Sequence, residues 1–253
     1  MIRGKVRCLF AGCLLLGANA AYSQVVDICP TEASRDAIHT ALKAALIEAT
    51  AASNGGFALD MWGSVVNRDG VVCAVAFTGE DRGDQWPGSR VISAQKANTA
   101  NAFSLPGLAL STANLWEATQ PGGSLYGLQE SNPVSTVVAY AGPSANYGTP
   151  DDPMLGQKIG GINVFGGGLA LYSKTGVLLG AIGVSGDSSC ADHNIAWRVR
   201  NIVQLDYVPA GVAPDGSDQI IFTGGTTGGF GHPVCGGTED DVAATLPAIR
   251  AVE

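Results

Sequence analysis

Apolar residues recur along this chain at helical spacing in some stretches and gather into β-rich runs in others. After Thr31, the residues Ala37, Ile38, Ala41, Leu42, Ala45, Leu46 and Ala49 fall at helical spacing, and Asn54-Gly55-Gly56 supplies a stop. Thr31 can cap that helix, and Glu32 sits favourably in its first turn. The buried face is narrow and Ala-rich, so it is expected to approach its neighbour closely. His39 falls between the apolar positions and is expected to face solvent. β-rich runs follow at 58–66 and 71–78, joined by Asn67-Arg-Asp-Gly70, which is strong turn chemistry. A similar hairpin is predicted from Leu169–Tyr172 and Val177–Val184, with Ser173-Lys-Thr-Gly176 between them. Helical spacing returns over Ser89–Phe103, Leu108–Thr119 and Ser189–Asn201. Two hairpins with segregated helices predict an α+β fold, in which helices cover an antiparallel sheet.

Two stretches lie outside this pattern. Residues 141–160 are rich in Gly, Pro, Asn and Asp and read as a surface insertion. Residues 206–238 are polar and Gly-rich, with one strand-like run at Gln219–Phe222. With no linker in view, the organisation is one domain over 24–205 and a C-terminal extension over 206–253.

The N-terminus changes the picture of compartment. Three cations and no acid in Met1–Arg7 precede an apolar run, Cys8–Leu16, and then Ala18-Asn-Ala20 or Ala21-Tyr-Ser23. That is the pattern of a signal peptide over 1–23, too short for a bilayer span. A periplasmic or secreted protein is expected, with no membrane span after cleavage. Of the 14 basic residues, 11 then remain against 22 acidic ones, a net charge of −11. Such a chain is a poor partner for nucleic acid, whose affinity for proteins rests on phosphate neutralisation.

Four cysteines follow the signal: Cys29, Cys73, Cys190 and Cys235. An even count in an oxidising compartment favours two disulfides. Cys29 precedes the first helix, and Cys73 lies on a strand which that helix can cover, so these two are expected to pair. Cys190-Ala-Asp-His193 and His232-Pro-Val-Cys235 mirror one another. Their meeting gives either a Cys190–Cys235 disulfide or a Cys₂His₂ metal site of Cys190, His193, His232 and Cys235. Either way His193 and His232 come near each other and are candidates for a haem, metal or proton-transfer role.

Three stretches resemble the GlcG/HbpS family, the haem-binding or haem-degrading group related to the PduO C-terminal domain. They are Ser93-Ala-Gln-Lys-Ala-Asn-Thr-Ala100, Gln120-Pro-Gly-Gly-Ser-Leu-Tyr-Gly127, and Gly166-Gly-Gly-Leu-Ala-Leu-Tyr172 through Gly180-Ala-Ile-Gly-Val-Ser-Gly186. Their order and spacing fit over roughly 31–205. The chain departs from the family after Gly186, where it reads Asp187-Ser-Ser-Cys-Ala-Asp-His193, and in the tail beyond 205. The resemblance implies a five-stranded antiparallel sheet flanked by helices, a homo-oligomer, and a tetrapyrrole or other small molecule as ligand, with haem the possible cofactor. It singles out Lys96 and Thr99 in the helix motif, where Lys96 would neutralise a carboxylate or haem propionate or else line an oligomer interface. It also singles out Tyr126, whose hydroxyl would reach a pocket or whose ring would pack.

Other signatures are missing. Gly166-Gly-Gly168 leads into a strand rather than a dinucleotide-binding helix. Gly183-Val-Ser-Gly-Asp187 lacks the last glycine of a nucleophile elbow. Gly186–Ser189 opens a helix, where Ser188 or Ser189 acts as cap or the free N–H groups hold an anion. Three readings follow: an exported haem or tetrapyrrole binder, an enzyme without an organic cofactor acting on a small oxygenated substrate, or an accessory subunit. The small-residue helix faces at 33–52 and 93–102 are suited to a symmetric interface. Light scattering on the mature protein at tens of micromolar is expected to give an oligomer; a monomer mass of about 23 kDa would refute this.

Overall fold

The computed structural model describes residues 25–223 and 228–253. The expected signal peptide lies outside the described residues. Among those residues the helices are α1 (Glu32–Ala51), α2 (Ser89–Phe103), α3 (Leu128–Ser131), α4 (Thr136–Ala139), α5 (Ser189–Ile202) and α6 (Glu239–Ala243). The strands are β1 (Trp62–Asn67), β2 (Val72–Phe77), β3 (Gly168–Tyr172) and β4 (Leu178–Ser185).

The strands form one antiparallel sheet in the order β2-β1-β4-β3. It has four strands rather than the five implied by the resemblance. Irregular chain takes up part of the hydrogen bonding at both edges instead. At the β2 edge, Val72 N–H donates to Gln157 O at 2.9 Å, and Gly156 N–H donates to Val72 O at 2.9 Å. At the β3 edge, Tyr172 N–H donates to Leu205 O at 2.8 Å. Short covers of this kind protect an edge from adventitious pairing.

Both faces of the sheet are buried, and side chains alternate between two layers. Val65, Ile182, Val184, Leu169 and Leu171 face α1 and α5. Val66, Val75 and Ala181 face α2, which meets them with Val91, Ala94, Ala97 and Ala100. This small-residue stripe lets α2 lie almost on the backbone of β4. A side chain on Gly183 would displace Ala97 N, only 2.5 Å from where a Cβ would stand. The first hairpin turns as its sequence predicts: the Asn67 side-chain oxygen accepts from the Asp69 and Val71 N–H groups, each at 3.0 Å. Thr31 and Ser34 cap α1 reciprocally.

Three further expectations are corrected. Leu108–Thr119 is not a continuous helix but two 3-10 turns, Ala113–Leu115 and Glu117–Thr119. Its backbone groups are bonded elsewhere: Ala109 N–H to Ala210 O, Thr112 N–H to Gly168 O, and Ser111 N–H to the Asn114 side chain. His39 is buried, with Nε2 3.1 Å from Gly148 O. The 141–160 segment is not a purely surface insertion, since Asp152, Met154 and Ile159 are buried. Asp152 accepts Nε–H of Arg90 at 2.9 Å and pairs with its Nη2, while the guanidinium stacks 3.6 Å from the Tyr147 ring centre.

The disulfides join Cys29 to Cys73 and Cys190 to Cys235. The first ties the chain ahead of α1 to β2, beneath that helix. Two disulfides fit an oxidising compartment. No helix among the described residues is long and apolar enough to cross a membrane. Replacing Asp152 by Ala leaves the Arg90 charge buried without its partner, so chemical denaturation is expected to show a loss of about 3–5 kcal/mol. A loss below about 1 kcal/mol would mean that the pair behaves like a surface one.

Candidate functional site

The three family-like motifs converge at one end of the sheet. There α2, the 111–127 segment, the start of α5 and the C-terminal extension meet. Lys96 on α2 reaches past the end of β4 to α5. Its ammonium donates to Asp192 Oδ2 at 2.7 Å and to Val184 O at 3.1 Å, and the side chain is 2% exposed. Burial lowers the Lys96 pKa and raises that of Asp192 to about 6, while each partner opposes the other's shift. The other Asp192 oxygen accepts Asp187 N–H at 2.9 Å. The pair threads past Gly167, which has φ +115° and where a Cβ would sit 3.1 Å from Lys96 Nζ. Thr99 is also buried; its hydroxyl donates to Gln95 O at 2.7 Å and accepts Asn163 N–H at 2.9 Å. Both motif residues thus have their polar atoms engaged inside the fold.

The Gln120-Pro-Gly-Gly123 motif makes a tight turn. Gly122 has φ +87°, and Gly123 N–H donates to Gln120 O at 2.8 Å. Proline followed by a positive-φ glycine suits a type II turn. Leu125 N–H then returns to Ala118 O at 2.8 Å. This turn and Gly228–Phe230 of the extension enclose a cleft of about 570 Å³. Phe103, Leu110, Leu115, Leu125 and Phe230 form its apolar walls, and Asn114, Glu117 and Gln120 its polar groups. Glu117 holds the far wall in place: its carboxylate accepts Gly231 N–H at 2.7 Å, and its own N–H donates to Gly231 O at 3.1 Å. Tyr126 is 69% exposed and lies beside the cleft rather than in its lining.

Cys190 and His193 stand on α5, and His232 and Cys235 on the extension. Ser188 caps α5 by accepting Ala191 N–H at 3.2 Å, and its hydroxyl donates to Glu239 at 2.6 Å. The helix start is therefore tied to the tail by a hydrogen bond as well as by the Cys190–Cys235 disulfide. His232 Nδ1 donates to Pro233 O at 2.7 Å, and its Nε2 lies 3.3 Å from Ser189 Oγ. His193 Nε2 lies 2.8 Å from the Gln219 side-chain oxygen, and its Nδ1 is buried without a partner. Desolvation lowers the pKa of His193 to about 3 and that of His232 to about 4, so both rings are neutral at ordinary pH. Hydrogen bonds, to Gln219 and to Pro233 O respectively, only partly oppose that effect. Arg198, another cation near this end, donates to Asn54 Oδ1 at 3.1 Å.

The cleft offers apolar faces to a porphyrin, but its described lining holds no histidine, cysteine, methionine or tyrosine to ligate iron, and Tyr126 stands beside it. The chain has three histidines. His39, His193 and His232 hydrogen-bond to Gly148, Gln219 and Pro233, and none lines the cleft. The four described cysteines are in disulfides, Met61 and Met154 are fully buried, and no Lys or Arg among the described residues lines the cleft. These residues do not fit a haem held through nitrogen or sulfur on iron. Sequence reasoning singled out the turn motif but missed Phe103, Leu110, Leu115 and Phe230. They come from separate segments, one of them outside the family-like region.

The depressed pKa of His193 has a definite sign. Its folded value of about 3 lies below the ordinary 6.5, so the unfolded chain binds the proton more readily. The resulting stability is present above pH 6.5 and is lost as pH falls toward the folded value. His193→Gln is expected to reduce the fall in unfolding free energy between pH 7 and pH 5, by roughly 1 kcal/mol per pH unit. Identical pH profiles for variant and parent would refute this.

A family model described as "Haem degrading protein HbpS-like" matches residues 34–200. No curated protein matches the chain. Among solved structures, PduOC in its heme complex is 21% identical, covers 70% of this chain and 95% of its own, and has a TM-score of 0.46. The Klebsiella pneumoniae protein ORFY is 25% identical, with 72% and 94% covered and a TM-score of 0.46. HbpS is 18% identical, with 72% and 94% covered and a TM-score of 0.40. The family model spans about two thirds of the sequence and takes in all three motifs, and the chain belongs to the HbpS-like family.

Proposed function

We propose that this is an exported, oligomeric small-molecule binding protein that takes its ligand into the cleft between the 120–125 turn and Phe230. A tetrapyrrole held by its apolar faces, without a histidine–iron bond, is the ligand class most consistent with the family. The cleft carries this reading. It is concave, mostly apolar, carries a few polar groups, and falls in the size range of small-molecule sites, about 300–1,000 Å³. Membership of a haem-related family supports the tetrapyrrole class. The two disulfides support an oxidising compartment. Among the described residues the polar groups of the cleft include a carboxylate and no cation, so recognition rests on apolar contact rather than on charge.

Titration of the whole protein with haem and with metal-free protoporphyrin, read by tryptophan quenching, tests this. Both are expected to bind with affinities within a few-fold of each other. Phe230→Ala is expected to weaken both about tenfold, the effect of losing one buried aromatic side chain. The proposal fails if neither porphyrin binds at micromolar concentration. It also fails if haem gives a six-coordinate imidazole spectrum that a histidine substitution abolishes.

A further inference from the structure

We propose that the Cys190–Cys235 disulfide is the closed state of a metal site, and that its reduced form holds one zinc-like divalent ion through two thiolates and the His232 imidazole. The ligand atoms of these three residues lie within 4.8 Å of one another. Cys190 Sγ is 3.8 Å from His232 Nδ1. Tetrahedral zinc, with bonds of about 2.3 Å to sulfur and 2.0–2.1 Å to nitrogen, sets neighbouring ligand atoms roughly 3.5–3.8 Å apart. The imidazole is already at that distance from one sulfur, and the two sulfurs need only separate to the same spacing.

The surroundings suit the chemistry. Cys235 Sγ accepts Cys190 N–H at 3.2 Å in the first turn of α5 and lies 3.5 Å from Ser189 Oγ, donors that stabilise a thiolate. Moving the His232 proton from Nδ1 to Nε2 frees Nδ1 for the metal. The new Nε2–H then donates to Ser189 Oγ, now 3.3 Å away, as an outer partner that fixes the ring. His193 is outside the group, its Nε2 being beside Gln219. The site therefore has three protein ligands, one fewer than the mirrored motifs suggest, and leaves a fourth position for water.

Access separates the two disulfides. Cys235 is half-buried beside exposed Val234, whereas Cys29 and Cys73 are 4% and 0% exposed. A dithiol reductant breaks the Cys190–Cys235 bond by giving it two electrons and two protons, and closes its own disulfide. The divalent ion then displaces the two thiol protons into water.

The test uses the whole protein, reduced with dithiothreitol without oxygen, freed of reductant by gel filtration, and titrated with cobalt(II). One cobalt per chain is expected, with a thiolate-to-cobalt charge-transfer band that the oxidised protein lacks and that zinc abolishes by displacement. His232→Asn should weaken metal binding at least tenfold, and Cys190→Ser/Cys235→Ser should abolish the band. Where that double variant does not fold, alkylation of the reduced wild type with and without zinc decides. Zinc should protect Cys190 and Cys235 while Cys29–Cys73 stays oxidised. The proposal is overturned if no band forms on reduction, whether or not the protein stays folded. A band that persists in the double variant, or labelling unaffected by zinc, also overturns it.

Discussion

The contact on which the rest of this structure depends is the buried ion pair between Lys96 and Asp192. It joins α2 and α5, helices on the two faces of the sheet, beside the end of β4. Two further pairs extend it. Arg90 on α2 holds Asp152 of the 141–160 segment, and Arg200 on α5 holds Asp218 of the extension at 2.7 Å, all four side chains being 2% exposed or less. The chain of contacts thus runs from inserted loop to α2, across to α5, and on to the tail. Taking a charge out of water costs several kcal/mol, so each pair is stable only with its remaining hydrogen bonds in place. Those bonds come from the backbone: Gly148 and Met154 N–H donate to Asp152, and the carbonyls of Ala139, Val184 and Ala170 accept from Arg90, Lys96 and Arg200. In the 141–160 segment it is loop amides, those of Gly148 and Met154, that complete the solvation of a buried charge.

The same logic explains which parts of the molecule could be read from its sequence. The hairpins were legible because Asn67–Gly70 and Ser173–Gly176 fix their turns locally. The helix Ser89–Phe103 was legible because its stripe of small residues is local too. Leu108–Thr119 was not. It has helical spacing, but its amides go to Ala210 and Gly168, and nothing in the segment itself announces those partners. His39 was misjudged for a similar reason: Gly148, its partner, lies 109 residues away. The number of strands was misjudged because the resemblance supplied a fifth that short covers by 156–158 and 205–206 replace here. The disulfide connectivity was readable, since one pair follows from helix-over-strand packing and the other from mirrored spacing.

The candidate site was legible only as a motif. Gln120-Pro-Gly-Gly123 identifies the turn on one side of the cleft, but the opposite side is Gly228–Phe230, in a tail with no pattern of its own. That wall is held by two attachments, Glu117 to Gly231 and Cys190 to Cys235. Neither extension residue is in the stretch matched by the family model. The motif residues Lys96, Thr99 and Gly167 shape the scaffold in this chain, and the contacts specific to it come from the tail.

This division constrains how the cleft and the disulfide act on each other. His232 sits beside Gly231, and its ring lies 6.0 Å from that of Trp116, next to the cleft residue Glu117. His232 is thus two residues along the chain from Phe230, the wall that a ligand would touch. The extension is anchored independently by Asp218 to Arg200 and by Asn194, whose side-chain amide donates to Glu239 O at 2.9 Å. With the disulfide broken, the segment between these anchors would still be held at Gly231 by Glu117. Because Phe230 and His232 flank Gly231, the cleft wall and the thiol chemistry share one attachment to the core, the pair of hydrogen bonds between Gly231 and Glu117.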